Sequence, residues 1–486
     1  MKHCGVILAL VVCSAVSFPQ RARGTPADTL RLSLDESVAR AMKVGEEARL
    51  AEADLATAKA RYLEARSTAL PRLTFTTTYT RRIESVFRDT GPATEPFEPD
   101  TLAPLEERVR DLEDALPTAA LAGLGRLFSA TPFGSENSWV ANLGFTQKVF
   151  QGGSIWNSIV GARHAMRSAE ARLTDSRAEI VLGVRRAYLA ALLADRGARI
   201  SELALEQAES QLTRVRLRQE TGNASEFELL QAEVQRDNQI PVVRQAYLLR
   251  DVADLDLRRL ANIDAGVPLV LTTPLLDEAA LPGEPVDPDT AGLVSLALQS
   301  PAIRSAEEQV EARSHAVAVY GAERWPKFSV FANASQQAYP DDMFPKRGEW
   351  LRDVNAGLLV EWNLFDGFLT KGVIDEARAQ RNIARHTLQQ AREAVRLQVM
   401  QSYWDLARSA ADLRARARTV ELARRAFDLA NIRYEEGASD LIEVADSRIA
   451  FQIAQTNEAQ ARHDYFVALA RLERLTGRPL FTEAAR

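Results

Sequence analysis

Cysteine is almost absent: the chain has Cys4 and Cys13 and no others, so everything after residue 13 lacks a thiol. This excludes a disulfide scaffold or a cysteine-based metal site for the bulk of the chain. Histidine is nearly as scarce. His3, His164, His315, His386 and His463 are isolated in sequence, without a second ligand at metal spacing, and each reads as an ordinary surface residue. Also missing are Gly-x-Ser-x-Gly, the phosphate-cradling Gly-x-x-x-x-Gly-Lys and Gly-x-Gly-x-x-Gly. The expectation is therefore no enzyme, no cofactor and no metal. Beyond the first residues no stretch approaches the roughly 20 apolar residues that a membrane helix needs. Any membrane crossing must be made by strands. The formal charge of -6 argues against a nucleic-acid partner, which requires a clustered basic face.

What is present begins with an export signal. Met1-Lys2-His3 precedes an apolar run from Gly5 to Val16, and Ala15-Val16-Ser17 fits the small-residue rule for cleavage. The signal is placed at 1–17, with 24 as the late limit for the cut. After it comes a duplication. Gly222 and Gly437 are separated by 437 minus 222, or 215 residues, and the same offset pairs Phe150 with Phe365, Gly152 with Gly367, Tyr188 with Tyr403 and Leu257 with Leu472. The first repeat is read as 34–262, a proline-rich irregular linker as 263–288, and the second repeat as 289–486.

Within each repeat the hydrophobic period changes twice. A helical pattern runs from Leu34 to Leu70 and stops at Pro71; another runs from Leu293 to Glu323 and stops before Pro326. Alternating strands are then expected at 72–82 and 139–149, and again at 327–336 and 354–364. In the first, Leu73, Phe75, Thr77 and Tyr79 share one face and Thr74, Thr76, Thr78 and Thr80 the other. Any one such segment alone fits a soluble sandwich. Four together, flanked by Trp139, Trp325, Trp350 and Trp362 on an exported chain, favour lipid. Four strands cannot enclose a lumen, so the chain must oligomerise, with dimers, trimers or larger rings all open on this ground. The first repeat carries 40 residues more between its strands (255 minus 215), including a short helix expected from Leu105 to Leu116.

Long helices follow, from about Ser154 to Thr221 and from about Leu369 to Glu436, each on the order of 100 Å at the usual rise. Their apolar seams have a coiled-coil rhythm. Gly222 and Gly437 end them, and return helices start at Ser225 and Asp440, each with a glutamate three residues on (Glu228, Glu443), which is the capping-box arrangement. Pro241 in the first return helix is expected to kink it.

In this order, and with Leu-Pro-x-Leu at Leu70 and Trp-Pro-x-Phe at Trp325, the strand exits at Phe150 and Phe365 and the two glycine tips, the chain resembles the TolC-like outer membrane efflux proteins over roughly Leu34 to Leu480. The resemblance implies an α+β membrane protein: a trimeric 12-stranded β-barrel, four strands per chain, continued by a long α-helical barrel built from two repeats. It implies an outer membrane exit duct for a tripartite efflux or type I secretion system, passively conducting substrates from an inner-membrane pump, with the helical barrel in the periplasm. The partners implied are two further copies, outer membrane lipid, that pump and a periplasmic adaptor. The adaptor would meet the tips at Gly222, Asn223, Gly437 and Ala438, although for either glycine a simple helix cap explains the residue equally well. In the family a pair of acidic residues lies six and nine positions after the second tip glycine, which gives Glu443 and Asp446 here as a pore constriction. Glu443 also has a capping explanation; Asp446, opposite Gln231 of the first repeat, has none. The rival reading is a periplasmic adaptor-like or structural coiled-coil envelope protein, which accounts for the hairpins but not for two strand pairs.

Overall fold

The computed structural model describes residues 30–84, 102–116, 135–273 and 290–478. The expected export signal and parts of the insert and linker lie outside the described residues. The chain divides into two compact units, one of residues 50–176 and 291–398, the other of 1–49, 177–290 and 399–486.

The first unit holds a four-stranded antiparallel sheet made of β2 (Arg72–Arg81), β3 (Asn137–Gln151), β5 (Lys327–Ala338) and β6 (Leu351–Glu361), in that spatial order. Its register aligns the apolar positions across every strand: Leu73 faces Phe145, Ala332 and Ala356, while Phe75 faces Leu143, Ala334 and Val354. On the opposite face Thr74 lies in line with Gly144, Asn333 and Asn355, and Thr76 with Asn142, Ser335 and Asp353. A register slip of one residue would exchange these faces. Between Lys148 and Phe150 the ladder shifts, which rephases the end of β3 and returns Phe150 to the apolar face against Phe328, with ring centroids 5.9 Å apart. The apolar face is bare: Phe75 is 68% and Leu358 61% exposed. Aromatics gather at both strand ends. Tyr79, Trp139 and Phe344 stack at one, and Trp325, Trp362, Phe365 and Phe368 stand exposed at the other.

The long helices arise as their patterns require. α4 (Ser154–Glu220) and α8 (Leu369–Glu435) have 67 residues each and contribute to both units, and α5 (Glu226–Ala261) and α9 (Leu441–Thr476) have 36 each. α5 passes through Pro241 without ending. The helices that precede the strands are broken where continuous ones were expected. Gly45 separates α1 (Leu34–Val44) from α2 (Glu46–Ser67), and a Cβ there would lie 2.4 Å from the Ala41 carbonyl oxygen. Pro301 begins α7 (Pro301–Gly321) and parts it from α6 (Thr290–Ala297), because its ring keeps Ser300 out of the helical region.

In the second unit, the stretch expected to be an irregular linker contains a strand. β4 (Leu269–Leu271) pairs in parallel with β1 (Leu30–Leu32). Tyr188 of α4, fully buried, fixes this small sheet: its hydroxyl donates to the Leu32 carbonyl at 3.0 Å and accepts from the Thr273 amide at 3.1 Å. Arg258 holds the chain leaving α5, donating to the Asp264 and Val267 carbonyls at 2.9 and 2.7 Å while Asp254 neutralises it at 2.6 Å.

Candidate functional site

The two helical turns of the second unit have the same backbone. Gly222 and Gly437 adopt φ of +78° and +73°. At the first, the Gly222 amide donates to Gln219 (3.0 Å) and the Asn223 amide to Arg218 (2.7 Å); at the second, Gly437 donates to Tyr434 (3.1 Å) and Ala438 to Arg433 (2.8 Å). Both are complete Schellman motifs, which satisfy the last carbonyls of the outgoing helix. Neither glycine has an atom within 4 Å of where a Cβ would stand, so it is the left-handed backbone and not lack of room that calls for glycine. Gly222, Asn223, Gly437 and Ala438 are all exposed.

Packing joins the two turns. Leu212 and Val215 of α4, Ala232 of α5, Ala430 and Tyr434 of α8, and Leu441 and Val444 of α9 make one buried cluster. Arg218 lies over the Tyr434 ring at 5.0 Å, and beside them Gln211, Arg214, Asn223, Asn431 and Glu435 complete the lining of a polar cavity of about 370 Å³. Burial pushes the Tyr434 phenol up, with Arg218 opposing it.

The side chains then part company. Ser225 caps α5 with a full capping box: its hydroxyl accepts from the Glu228 amide, and Glu228 accepts from the Ser225 amide at 2.7 Å. Asp440 accepts from the Glu443 amide at 2.9 Å, but the return bond expected from the sequence is not made. The reason is chemical. The ionised Asp440 side chain lies beside its own amide and repels a second carboxylate that would approach it, whereas the neutral Ser225 hydroxyl does not and itself donates to Glu228 at 3.1 Å. Glu443 turns instead to Arg433 at 2.8 Å and to the Ser439 hydroxyl at 2.5 Å. Of the expected acidic pair, then, Glu443 is engaged. Asp446, one turn on, is exposed, and its side chain has no hydrogen bond or ion pair among the described residues. Two residues further, Arg448 is buried; its guanidinium donates to the Ala204 carbonyl at 3.2 Å, and burial lowers its pKa. That bond ties α9 to α4 and fixes the rotation that leaves Asp446 outward.

The fold also joins histidines that are far apart in sequence. His164 Nδ1 lies 2.6 Å from Glu308, and its ring stacks on His315 at 5.5 Å. The heptad spacing of α4 could have placed His164 on a packed face, but not against α7. Among the described residues no group of three or more His, Cys, Asp or Glu could hold a metal ion, and no helix is long and apolar enough to cross a membrane.

The family model for outer membrane efflux proteins matches residues 47–262 and 293–478. The pyoverdine export outer membrane protein OpmQ of Pseudomonas aeruginosa strain PAO1 is 28% identical over 364 residues, 72% of this chain and 72% of that protein. Among solved structures, the Campylobacter jejuni CmeC outer membrane channel superposes with a TM-score of 0.71 at 15% identity, over 93% of this chain and 86% of that one. The Neisseria gonorrhoeae MtrE outer membrane channel, solved in its open state, gives 0.68 at 16% identity, over 92% and 89%. The fold thus recurs in channels of very different sequence. The chain belongs to the outer membrane efflux protein family and is an outer membrane efflux channel.

Proposed function

We propose that three copies join their sheets into one 12-stranded barrel and their helices into a duct, forming the passive exit of a tripartite efflux or type I secretion system. The observation that carries this is the sheet itself. One face is apolar in register across all four strands, and β2 and β6 are its edges. In hydrocarbon each unpaired backbone group costs several kcal/mol, and four strands are too few to close. Pairing β6 of one copy with β2 of the next removes every edge and turns the Thr- and Asn-rich face inward. Three copies give an even number of strands within the range that such barrels use. The two repeats then place two hairpins per chain around the duct. Their exposed turns at Gly222, Asn223, Gly437 and Ala438 offer backbone and small side chains to a periplasmic adaptor, through which an inner-membrane pump supplies cargo. Asp446, with Glu443 as the weaker member because Arg433 neutralises it, charges the narrow periplasmic end.

Native mass measurement of the detergent-purified protein tests the assembly. Three chains per particle, in a fraction that follows the outer membrane and dissociates on heating, is the expected result. A stable monomer with a closed barrel, or recovery with the soluble periplasm, would overturn it in favour of an adaptor-like protein.

A further inference from the structure

Inside one chain the first repeat joins the second where β3 meets β5, and the joint continues past the sheet. Residues 147–151 of β3 pair with β5 alone. Gly152 then turns so close to the second repeat that a Cβ on it would lie 2.5 Å from the Ala322 carbonyl oxygen and 3.0 Å from the Trp325 Cβ. Further on, α4 packs against α7. The Ser168 and Ser305 hydroxyls, both buried, lie 3.0 Å apart, and His164 meets Glu308 one turn away.

The duplicated counterpart of this joint is open. At the offset of 215, Gly152 becomes Gly367, His164 becomes Ala379 and Ser168 becomes Ile383. At the offset of 255 that relates Pro71 to Pro326, Ser305, Glu308, Ala322 and Trp325 become Leu50, Ala53, Ser67 and Leu70. Gly367 repeats the backbone of Gly152, with φ of +66° against +62°, yet no atom lies within 4 Å of where its Cβ would stand. β6 ends at Glu361, the counterpart of Thr146, and 362–366 have no strand pairing among the described residues. Leu50 and Ile383 are 67% and 57% exposed, and Ala53 and Ala379 are exposed beside them. Each element of the joint occurs in both repeats; the insert, with its described helix α3 (105–116), has no counterpart.

We propose that a second copy of the chain closes this open joint with its own first repeat. Residues 362–366 pair with the partner's β2, Gly367 receives the partner's Ser67 carbonyl, and α8 lies on the partner's α2, Ile383 against Leu50 and Ala379 against Ala53. The inference rests on the threefold barrel proposed above. The strand register agrees. Transferring the pairs of β3 and β5 sets Leu358 opposite the partner's Tyr79, Val360 opposite Thr77, Trp362 opposite Phe75 and Phe365 opposite Leu73. Leu358, Val360 and all four β2 residues belong to the apolar face, so that face runs on unbroken from copy to copy. A slip of one residue would set it against the polar one. The helical seam changes character between its two versions. Within a chain it joins hydroxyl to hydroxyl and histidine to glutamate; between copies it joins leucine to isoleucine and alanine to alanine, as suits separate chains drawn together by burying apolar surface. A first repeat of this chain offers strand edge, turn and helix at one spacing, and lipid offers none of the three.

The test uses the full-length protein in outer membranes, carrying Leu50→Cys with Ile383→Cys and treated with a mild oxidant. Leu50→Cys with Arg385→Cys moves one thiol to another side of α8, Ser168→Cys with Ser305→Cys is the in-chain equivalent, and the unsubstituted chain is the blank for Cys4 and Cys13. The seam pair should give two-chain and three-chain bands at least about tenfold stronger than the pair with Arg385→Cys, while the in-chain pair stays at the mass of one chain. Native mass is measured on the same samples. Three chains per particle without such bands, or with equal bands from both pairs, overturns this joint while leaving the barrel intact; absence of a three-chain particle from the unsubstituted protein overturns both. A second readout needs no cysteine. Leu50→Glu should lower the temperature at which the three-chain particle dissociates, and Ile383→Lys added to it should recover most of that loss; no loss, or a loss that Ile383→Lys does not recover, contradicts the contact.

Discussion

The turn at Gly222 and the turn at Gly437 share a backbone and differ in charge. Both end a helix of 67 residues with a left-handed glycine and start one of 36 residues from a side-chain cap. The first consumes its polar groups: Ser225 and Glu228 close on each other, and Arg218 lies on Tyr434. At the second, aspartate replaces serine at the cap and Ser439 replaces Ala224, so that Glu443 turns to Arg433 and Ser439, and Asp446 stands where the first turn has Gln231. Conserving the turn while varying the cap keeps the hairpin's shape and changes only its electrostatics.

The largest effect that probes this comparison is on the exposed positions common to both turns. Asn223→Trp and Ala438→Trp should each abolish efflux while leaving the particle mass unchanged, since neither side chain lies in the buried cluster. Full efflux with either substitution would reduce the turns to helix ends. Next comes the backbone. Gly222→Val and Gly437→Val each force a side chain into the left-handed region, at about 1–2 kcal/mol, and hydrogen exchange of the Asn223 and Ala438 amides should accelerate equally; a large inequality would break the claim that the turns are alike. Smaller still is the cap. Asp440→Ser should let Glu443 close the box, so that the coupling between Arg433 and Glu443, about 0.2–1 kcal/mol for a pair this exposed, disappears from a double-mutant cycle. A coupling that survives would show that Asp440 does not direct Glu443. Smallest is a pH effect at α1, where a complete box of the first-turn kind holds the Glu36 carboxyl below its ordinary 4.5, mainly through the Ser33 amide and then its hydroxyl. A lowered folded pKa stabilises above the unfolded value, so protection of the α1 amides should persist above pH 4.5 and fall below it, and Ser33→Ala, which removes the hydroxyl but keeps the amide, should reduce that dependence without abolishing it.

The sequence revealed what periodicity and steric necessity control. Alternation located the strands within a few residues, because a sheet with one greasy face allows one register. Glycine between two helical patterns located both turns, because few other residues tolerate that φ. It missed what depends on a partner distant in the chain. β1 and β4 are three residues each and are held by Tyr188, about whose hydroxyl the local pattern is silent. The break at Gly45 passed as an ordinary helical glycine, and Pro301 as part of a longer helix. At the candidate site Glu443 and Asp446 were expected from the family resemblance, which said nothing of their inequality. It arises from Arg433 reaching back across the turn, and from Arg448 binding a carbonyl on α4.

That inequality is the central claim, and ion selectivity in single-channel recordings measures it most directly. With three-chain particles verified in every sample, Asp446→Asn should weaken cation selectivity and divalent-ion block clearly more than Glu443→Gln does, and Gln231→Asp should strengthen both. Equal effects of Asp446→Asn and Glu443→Gln would contradict the neutralising role of Arg433, and selectivity unchanged by either would place the constriction away from this turn.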